Sequence, residues 1–407
     1  MKKIFIITLL FLSFMSFAQN NDLKIFLDCN YCDSDFYKQE LEYVEFVRDR
    51  NYADVHILVT SQQNASNGNH YTLDFIGNNN YATLKNKVEF STTGETTKET
   101  LRNLMLKNLK IGLIPFWLKN GLADKINVTL VKQNKETDKK EAIDPWDKWT
   151  FKISLRGYFS GQETSNNSNL NGSFRISRTT EKNKLHLAFG LSNSKSKYIY
   201  GEDEIISERK STYAYGSDVY SLSNHWSTGL FASAGQSLFS NKAFYFSIKP
   251  GLEYNFFDYK DSQKKALFLT YKIGNVFNRY YDLTVFGKTE ENLWQHNLEL
   301  GGGFVTKWGN VSSSIEYRSY LHDSNLNGFD ANINANLRLF KGFSLNLWGG
   351  YGLSHDQINI RAQGASLEDL LLQQKQIKSG YNYYGSIGIS YTFGSIYNTI
   401  VNPRFDL

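Results

Sequence analysis

Both cysteines of the chain lie in one short run, Cys29-Asn30-Tyr31-Cys32, which follows the apolar Ile25-Phe26-Leu27 and precedes a helical segment. Two thiols at this spacing can do three things. At a helix N-terminus the macrodipole lowers a thiol pKa, which suits dithiol–disulfide exchange. In an oxidising compartment the same pair forms a staple between strand and helix. Two thiols also make half of a zinc site, and no further ligands accompany them here. Cys29 and Cys32 are therefore read first as a disulfide staple and second as a redox pair, because the remainder of a thioredoxin-like fold is missing, and no metal is expected.

A second group of charges sits at every other position of apolar-alternating segments: Lys152, Arg156, Arg175, Lys249, Lys272, Arg318 and Arg338, opposed by Asp218, Glu253, Glu299, Glu316 and Asp330. On the wet face of a closed sheet they would either pair across a narrow lumen or line a channel and set its ion preference. Glu316 and Arg318, two residues apart on one face, are placed to pair. His186, His225, His296, His322 and His355 could serve a Ser–His hydrolase at a barrel rim, but serines are too frequent here for adjacency to carry weight. No catalytic residue and no cofactor follows from the sequence.

The elements that position these groups are legible in the periodicity. From Trp149 onward, twelve segments alternate apolar and small polar residues: 149–160, 168–178, 183–197, 206–220, 223–236, 242–257, 264–277, 291–306, 309–321, 329–340, 342–357 and 380–393. They run 11–16 residues, longer than soluble strands and enough for the roughly 9–11 a tilted membrane strand needs. Aromatics cluster at their ends, as in Trp149, Phe151, Tyr391 and Phe393, in the manner of an interfacial girdle. The expectation is an antiparallel transmembrane β-barrel of about twelve strands over 149–393. Trp308-Gly309-Asn310 and Phe340-Lys341-Gly342 read as tight turns, while Leu321 to Gly328 and Asn359 to Ser379 read as long loops. Short turns belong to the periplasmic side, which puts both barrel ends there. In the last loop, Ser366 with Glu368 and Asp369 predicts a short helix.

Residues 19–131 read differently. Strands at Leu23–Asp28, Ala53–Thr60, Tyr71–Ile76 and Lys87–Ser91, with helices at Asp33–Asp49 and Lys98–Asn120 (ended or interrupted near Pro115), give the order β-α-β-β-β-α of a small α+β domain. Residues 132–148 are a charged linker. Residues 1–18 carry Lys2, Lys3, an apolar stretch and Ser16-Phe17-Ala18, the pattern of a secretory signal peptide. No later stretch is long and apolar enough for a spanning helix. A high aromatic content, 15%, with only 4 prolines suits long strands, and the mild net charge of +5 without a basic stripe excludes nucleic acid as an expected partner.

Ser386, Gly388, Tyr391 and Phe393 fit the spacing that resembles the recognition signal of the barrel-assembly machinery, followed here by a tail, 394–407, expected in the periplasm. Several runs extend the likeness: Phe26-Leu27-Asp28-Cys29-Asn30, Val47-Arg48-Asp49-Arg50, Ala53 to Thr60, Phe286-Gly287-Lys288-Thr289, Phe343 to Leu347 and Ser390 to Asn398. The chain resembles an uncharacterised family of Bacteroidota-type outer-membrane barrels with an N-terminal periplasmic α/β domain carrying a Cys-x-x-Cys. The resemblance implies an outer-membrane location with the domain in the periplasm. Outer-membrane lipid and lipopolysaccharide, the assembly machinery and a periplasmic protein are the expected partners. The expected role is a non-enzymatic channel or envelope-assembly scaffold. The alternatives are a thiol oxidoreductase acting through Cys29 and Cys32, or a lipid-modifying barrel.

Overall fold

A computed structural model of the chain describes residues 22–29, 32–64, 68–129, 144–340, 342–366, 372, 374–397, 399–402 and 404. The expected signal segment and residues 132–143 of the expected linker lie outside these.

The N-terminal domain begins with β1 (Leu23–Asp28), whose Leu23 and Ile25 are buried, and continues into α1 (Ser34–Glu40). Asp33 caps α1 by accepting from the Phe36 amide at 3.2 Å, which satisfies one of the orphan N–H groups of its first turn. The helix expected to reach Asp49 stops at Glu40. Leu41 is already extended and Tyr43 has φ of 58°, so the chain leaves the helix and forms a short strand, β2 (Val44–Phe46), parallel to β1. Leu41, Val44 and Val47 do fit a helical stripe, but Val44 and Phe46 are both buried, which is a period of two. The domain order is accordingly β-α-β-β-β-β-α, one strand more than expected. β3 (Val55–Gln63) pairs parallel to β1, and β4 (Asn69–Gly77) and β5 (Lys85–Ser91) follow antiparallel, giving the sheet order β2-β1-β3-β4-β5. The second helix, α2 (Lys98–Lys119), runs through Pro115, with Leu113 and Phe116 fully buried on either side of it. Its Met105, Leu109, Leu113 and Phe116 meet Ile25, Ile57, Leu73 and Phe75 in one core.

Twelve further strands form one antiparallel sheet in unbroken hairpin order: β6 (Trp149–Gln162), β7 (Ser165–Thr179), β8 (Asn183–Tyr200), β9 (Asp203–Ser221), β10 (Trp226–Ser237) and β11 (Lys242–Asn255). They continue as β12 (Lys265–Tyr280), β13 (Glu290–Thr306), β14 (Gly309–Tyr320), β15 (Asp323–Phe340), β16 (Phe343–Ser354) and β17 (Tyr381–Tyr391). The fold class expected from the sequence, an α+β domain followed by twelve antiparallel strands in β-barrel order, stands. Among the described residues no ladder joins β6 to β17.

The loop expected over Leu321–Gly328 is instead a two-residue turn, because β15 begins at Asp323 and pairs it with Tyr320 across a bulge. Gly309, at φ 136°, makes the β13–β14 turn; a Cβ there would meet the Asn336 carbonyl oxygen at 1.9 Å. The longest connection within the sheet joins β16 to β17. Its Arg361, buried, donates to Asp282 at 2.7 Å and to the Leu238 carbonyl at 2.7 Å, while Asn359 donates to Ser240 O at 3.0 Å, so this segment is tied to two other loops at the same sheet end. The helix expected after Ser366 falls on 367–371 and 373, outside the described residues.

Candidate functional site

Strand alternation sorts the large sheet into two faces. One carries Phe151, Ile153 and Leu155 on β6, Phe174 on β7, Phe189 and Leu191 on β8, Ile248 and Leu252 on β11, Leu298 and Leu300 on β13, and Ile387 and Ile389 on β17, all exposed. A soluble monomer rarely shows an apolar patch beyond a few hundred Å²; this one wraps the whole sheet. Aromatics ring its margins, including the stacked pairs Trp149–Phe151 and Tyr391–Phe393. The last pair, with Ser386 and Gly388, is the expected assembly signal, and all four lie in or directly after β17.

Ten residues expected to line a lumen (Lys152, Arg156, Arg175, Lys249, Glu253, Lys272, Glu299, Glu316, Arg318 and Arg338) share the opposite face by register. Asp218 does not: it opposes Leu185 and Leu230 on the apolar face, near the strand end, where it accepts from Asn183 at 2.6 Å. Glu316 and Arg318 do not pair either. Arg318 is held by Asp330 and by Asp356 at 2.5 Å, while Glu316 accepts from Asn297 at 2.6 Å, and Asn297 also accepts from Lys249 at 2.7 Å. Arg318 and Glu316 each take a partner that reaches them across strands or from the loop after β16.

Arg338 leaves the lumen network altogether. At the end of β15 it forks onto Asp28 of the N-terminal domain, with Nη1 to Oδ2 at 2.6 Å and Nη2 to Oδ1 at 2.8 Å. The other Asp28 neighbour is His56 Nε2, at 3.2 Å. Burial alone would push the Asp28 carboxyl up; the hydrogen bonds from His56 and Arg338 outweigh it and hold it below the usual carboxylate range. Phe26 completes the cluster, edge-on to the His56 ring and beneath the Arg338 guanidinium.

This cluster belongs to a larger surface. The domain sheet has helices on one face only, yet on its other face Phe26, Asp28, His56, Leu58, Thr60 and Thr72 are all buried. The end of the large sheet covers them. Thr72 donates to Gln263 at 2.8 Å, Lys264 reaches Asp74 at 2.8 Å, and Arg50 donates to the Lys307 carbonyl. The tail after β17 neither plugs the sheet nor hangs free. It runs along the domain edge, where Val47 bridges Tyr397, the Arg48 amide donates to Ile396 O at 3.1 Å, and the Arg48 guanidinium donates to the carbonyls of Phe393 and Gly394. Between domain and sheet lies a cavity of about 1160 Å³, with Asp28, Thr60, Arg102 and Arg338 among its lining.

Cys29 and Cys32 form a disulfide with Cα atoms 5.5 Å apart, and both border this cavity. The disulfide joins the end of β1, directly after Asp28, to the start of α1, directly before its cap Asp33. Asp28 and His56 were not singled out in the sequence. A carboxylate closing an apolar strand and a lone histidine inside another are the signals that could have marked them.

No family model and no curated protein matches the chain. Among solved structures, it is similar to the NanC porin at 10% identity, covering 60% of this chain and all of that one, with a TM-score of 0.28. It is also similar to a Pseudomonas aeruginosa FadL homologue at 8% identity, covering 60% of this chain and 72% of that one (TM-score 0.27). CdiB from Acinetobacter baumannii matches at 8% identity over 82% of this chain and 58% of its own (TM-score 0.28). Likeness at this level adds nothing to the strand pairing above, on which the fold rests.

Proposed function

We propose that the chain is an outer-membrane β-barrel whose α+β domain is a docked lid on the periplasmic mouth. In this reading it acts as a non-enzymatic channel or envelope scaffold rather than as a free-standing enzyme. The observation that carries the lid is the burial of Phe26, Asp28, His56, Leu58, Thr60 and Thr72, on one face of the domain sheet, against the end of the strand array, held by Asp28–Arg338 and Asp74–Lys264. The continuous exposed apolar face supports the membrane as its surroundings. Closure by pairing β6 with β17 would satisfy two long strand edges that lipid cannot. The export pattern at the N-terminus and the long β16–β17 connection at the far end support a periplasmic placement of the domain.

Outer-membrane fractionation with boiled and unboiled gel mobility tests the barrel. A heat-dependent shift in the membrane fraction is expected, and recovery in the soluble periplasm refutes it. Planar-bilayer recordings test the lid: the intact chain should conduct little, and Arg338→Ala should conduct more often. Equal conductance of both removes the lid and leaves an ungated channel, and silence of both leaves the scaffold.

A further inference from the structure

The wet face of the strand array is electrically lopsided. On β11–β15, Glu253, Glu299, Glu316 and Asp330 are interleaved with Lys249, Lys272 and Arg318. This wall is largely knitted: Lys249 to Gln295 and Asn297, Asn297 to Glu316, Arg318 to Asp330 and Asp356, Glu253 to Tyr259 and Thr270. On β6–β9 the same face carries Lys152, Arg156, Arg175, Lys184 and Arg209, and the carboxylate that shares it is Asp203, at the hairpin tip. Lys152, Arg156 and Arg175 are exposed, and none of the three enters an ion pair among the described residues.

Register sharpens the point. Lys152 stands directly opposite Arg175 on the neighbouring strand. Directly opposed side chains have Cβ atoms about 5 Å apart, and like charges there destabilise a sheet. The neighbours that could dilute the repulsion do not: Ser154 opposes Ser173, and Arg156 opposes Asn171. The opposite wall also sets like charges face to face, Glu299 against Glu316 and Glu316 against Asp330, but there Asn297 and Arg318 bond Glu316 and Asp330, whereas Lys152, Arg156 and Arg175 enter no ion pair among the described residues.

We propose that Lys152, Arg175 and Arg156 form an anion-binding wall that takes a small, doubly charged oxyanion of the phosphate class. The guanidinium of Arg175 offers two parallel N–H donors to two oxygens, and the Lys152 ammonium supplies a second charge across the strand gap. Asn171 and Ser173 add neutral donors beside them. A dianion relieves the Lys152–Arg175 repulsion that a monovalent carboxylate only halves, so phosphate is favoured over acetate. The assignment rests on the barrel reading, which makes this face a lumen, and not on the lid being mobile.

The test is titration calorimetry of the full-length protein in detergent, with inorganic phosphate and with acetate as probes. Phosphate is expected to bind at least tenfold more tightly than acetate. Lys152→Gln with Arg175→Gln should abolish that preference, and Lys272→Gln on the opposite wall should leave it unchanged. If the double variant loses its heat-dependent gel shift, Lys152→Glu serves in its place. It pairs with Arg175, keeps the barrel and should likewise lose phosphate. Equal, weak binding of both anions, or binding untouched by the variants, overturns the site as diffuse lumen charge. Phosphate binding without conductance in bilayers retains the site and removes the open channel. Conductance without phosphate preference removes the site and retains the channel.

Discussion

Arg338→Ala should loosen the domain from the strand array by a predictable amount. The Asp28 side chain is 8% exposed and would keep His56 alone as its partner. Stripping one partner from a buried ion pair costs about 3–5 kcal/mol. Arg338 is itself 36% exposed, and part of its charge is screened by solvent. The expected loss is therefore lower, about 2–3 kcal/mol, which at about 1.4 kcal/mol per decade raises the undocked population some 30- to 150-fold. Thr72, 1% exposed on the covered face, reports it: in a Thr72→Cys background, maleimide labelling occurs only when the domain lifts. Labelling should accelerate by that factor in Arg338→Ala, and Asp28→Ala combined with Arg338→Ala should add little beyond either alone. An acceleration under about threefold, or two effects that simply add, would refute the claim that this pair latches the domain.

The same latch should depend on pH in one direction. Asp28 is held below its ordinary value of 3.8 when docked, so its contribution is fully present above about pH 4 and is lost as pH falls through the depressed value; Thr72→Cys labelling should rise only in that acid window. Replacing Cys29 and Cys32 by Ser removes a closure of three-residue separation, worth about 2 kcal/mol by loop entropy, and should lower the melting of the domain in the full-length protein by about 10 °C, read by circular dichroism against dithiothreitol-treated wild type. Gly112→Ala should destabilise the domain by about 1–3 kcal/mol in urea despite the better helix propensity of Ala, because the added Cβ meets the buried Phe75 ring at 2.0 Å. Leu298→Arg, on the apolar face between Tyr271 and Tyr317, should cost about 2–4 kcal/mol and deplete the heat-shifted species, whereas Ser314→Arg on the wet face should be tolerated.

The twelve strands were legible because a period of two persists over a dozen residues at a time, a pattern that neither a helix nor a loop sustains. Which charges share the small polar face was legible for the same reason, and Asp218 escaped it only where the alternation runs out near a strand end. Pairing was not legible. Glu316 and Arg318 are close in sequence, but the partners of Arg318 come from β15 and from the loop after β16, a choice made by cross-strand register. The Val44–Phe46 strand hid inside a helical stripe, since Leu41, Val44 and Val47 fit a helix while the period of two rests on Val44 and Phe46 alone, and the positive φ at Tyr43 decides. The docking face was the largest omission. Asp28, His56, Thr72 and Asp74 look like ordinary polar punctuation in their strands, and their burial depends on residues some two to three hundred positions away.

The tail after β17 gives the molecule a closed circuit. Its Ile396 and Tyr397 line the border of β2, so residues that follow the last strand of the array finish the edge of the N-terminal sheet. Without them the domain carries a bare strand margin. Docking therefore works as a completion check: a chain cut short after Tyr391 would keep every strand of the array yet leave the domain unfastened along one side.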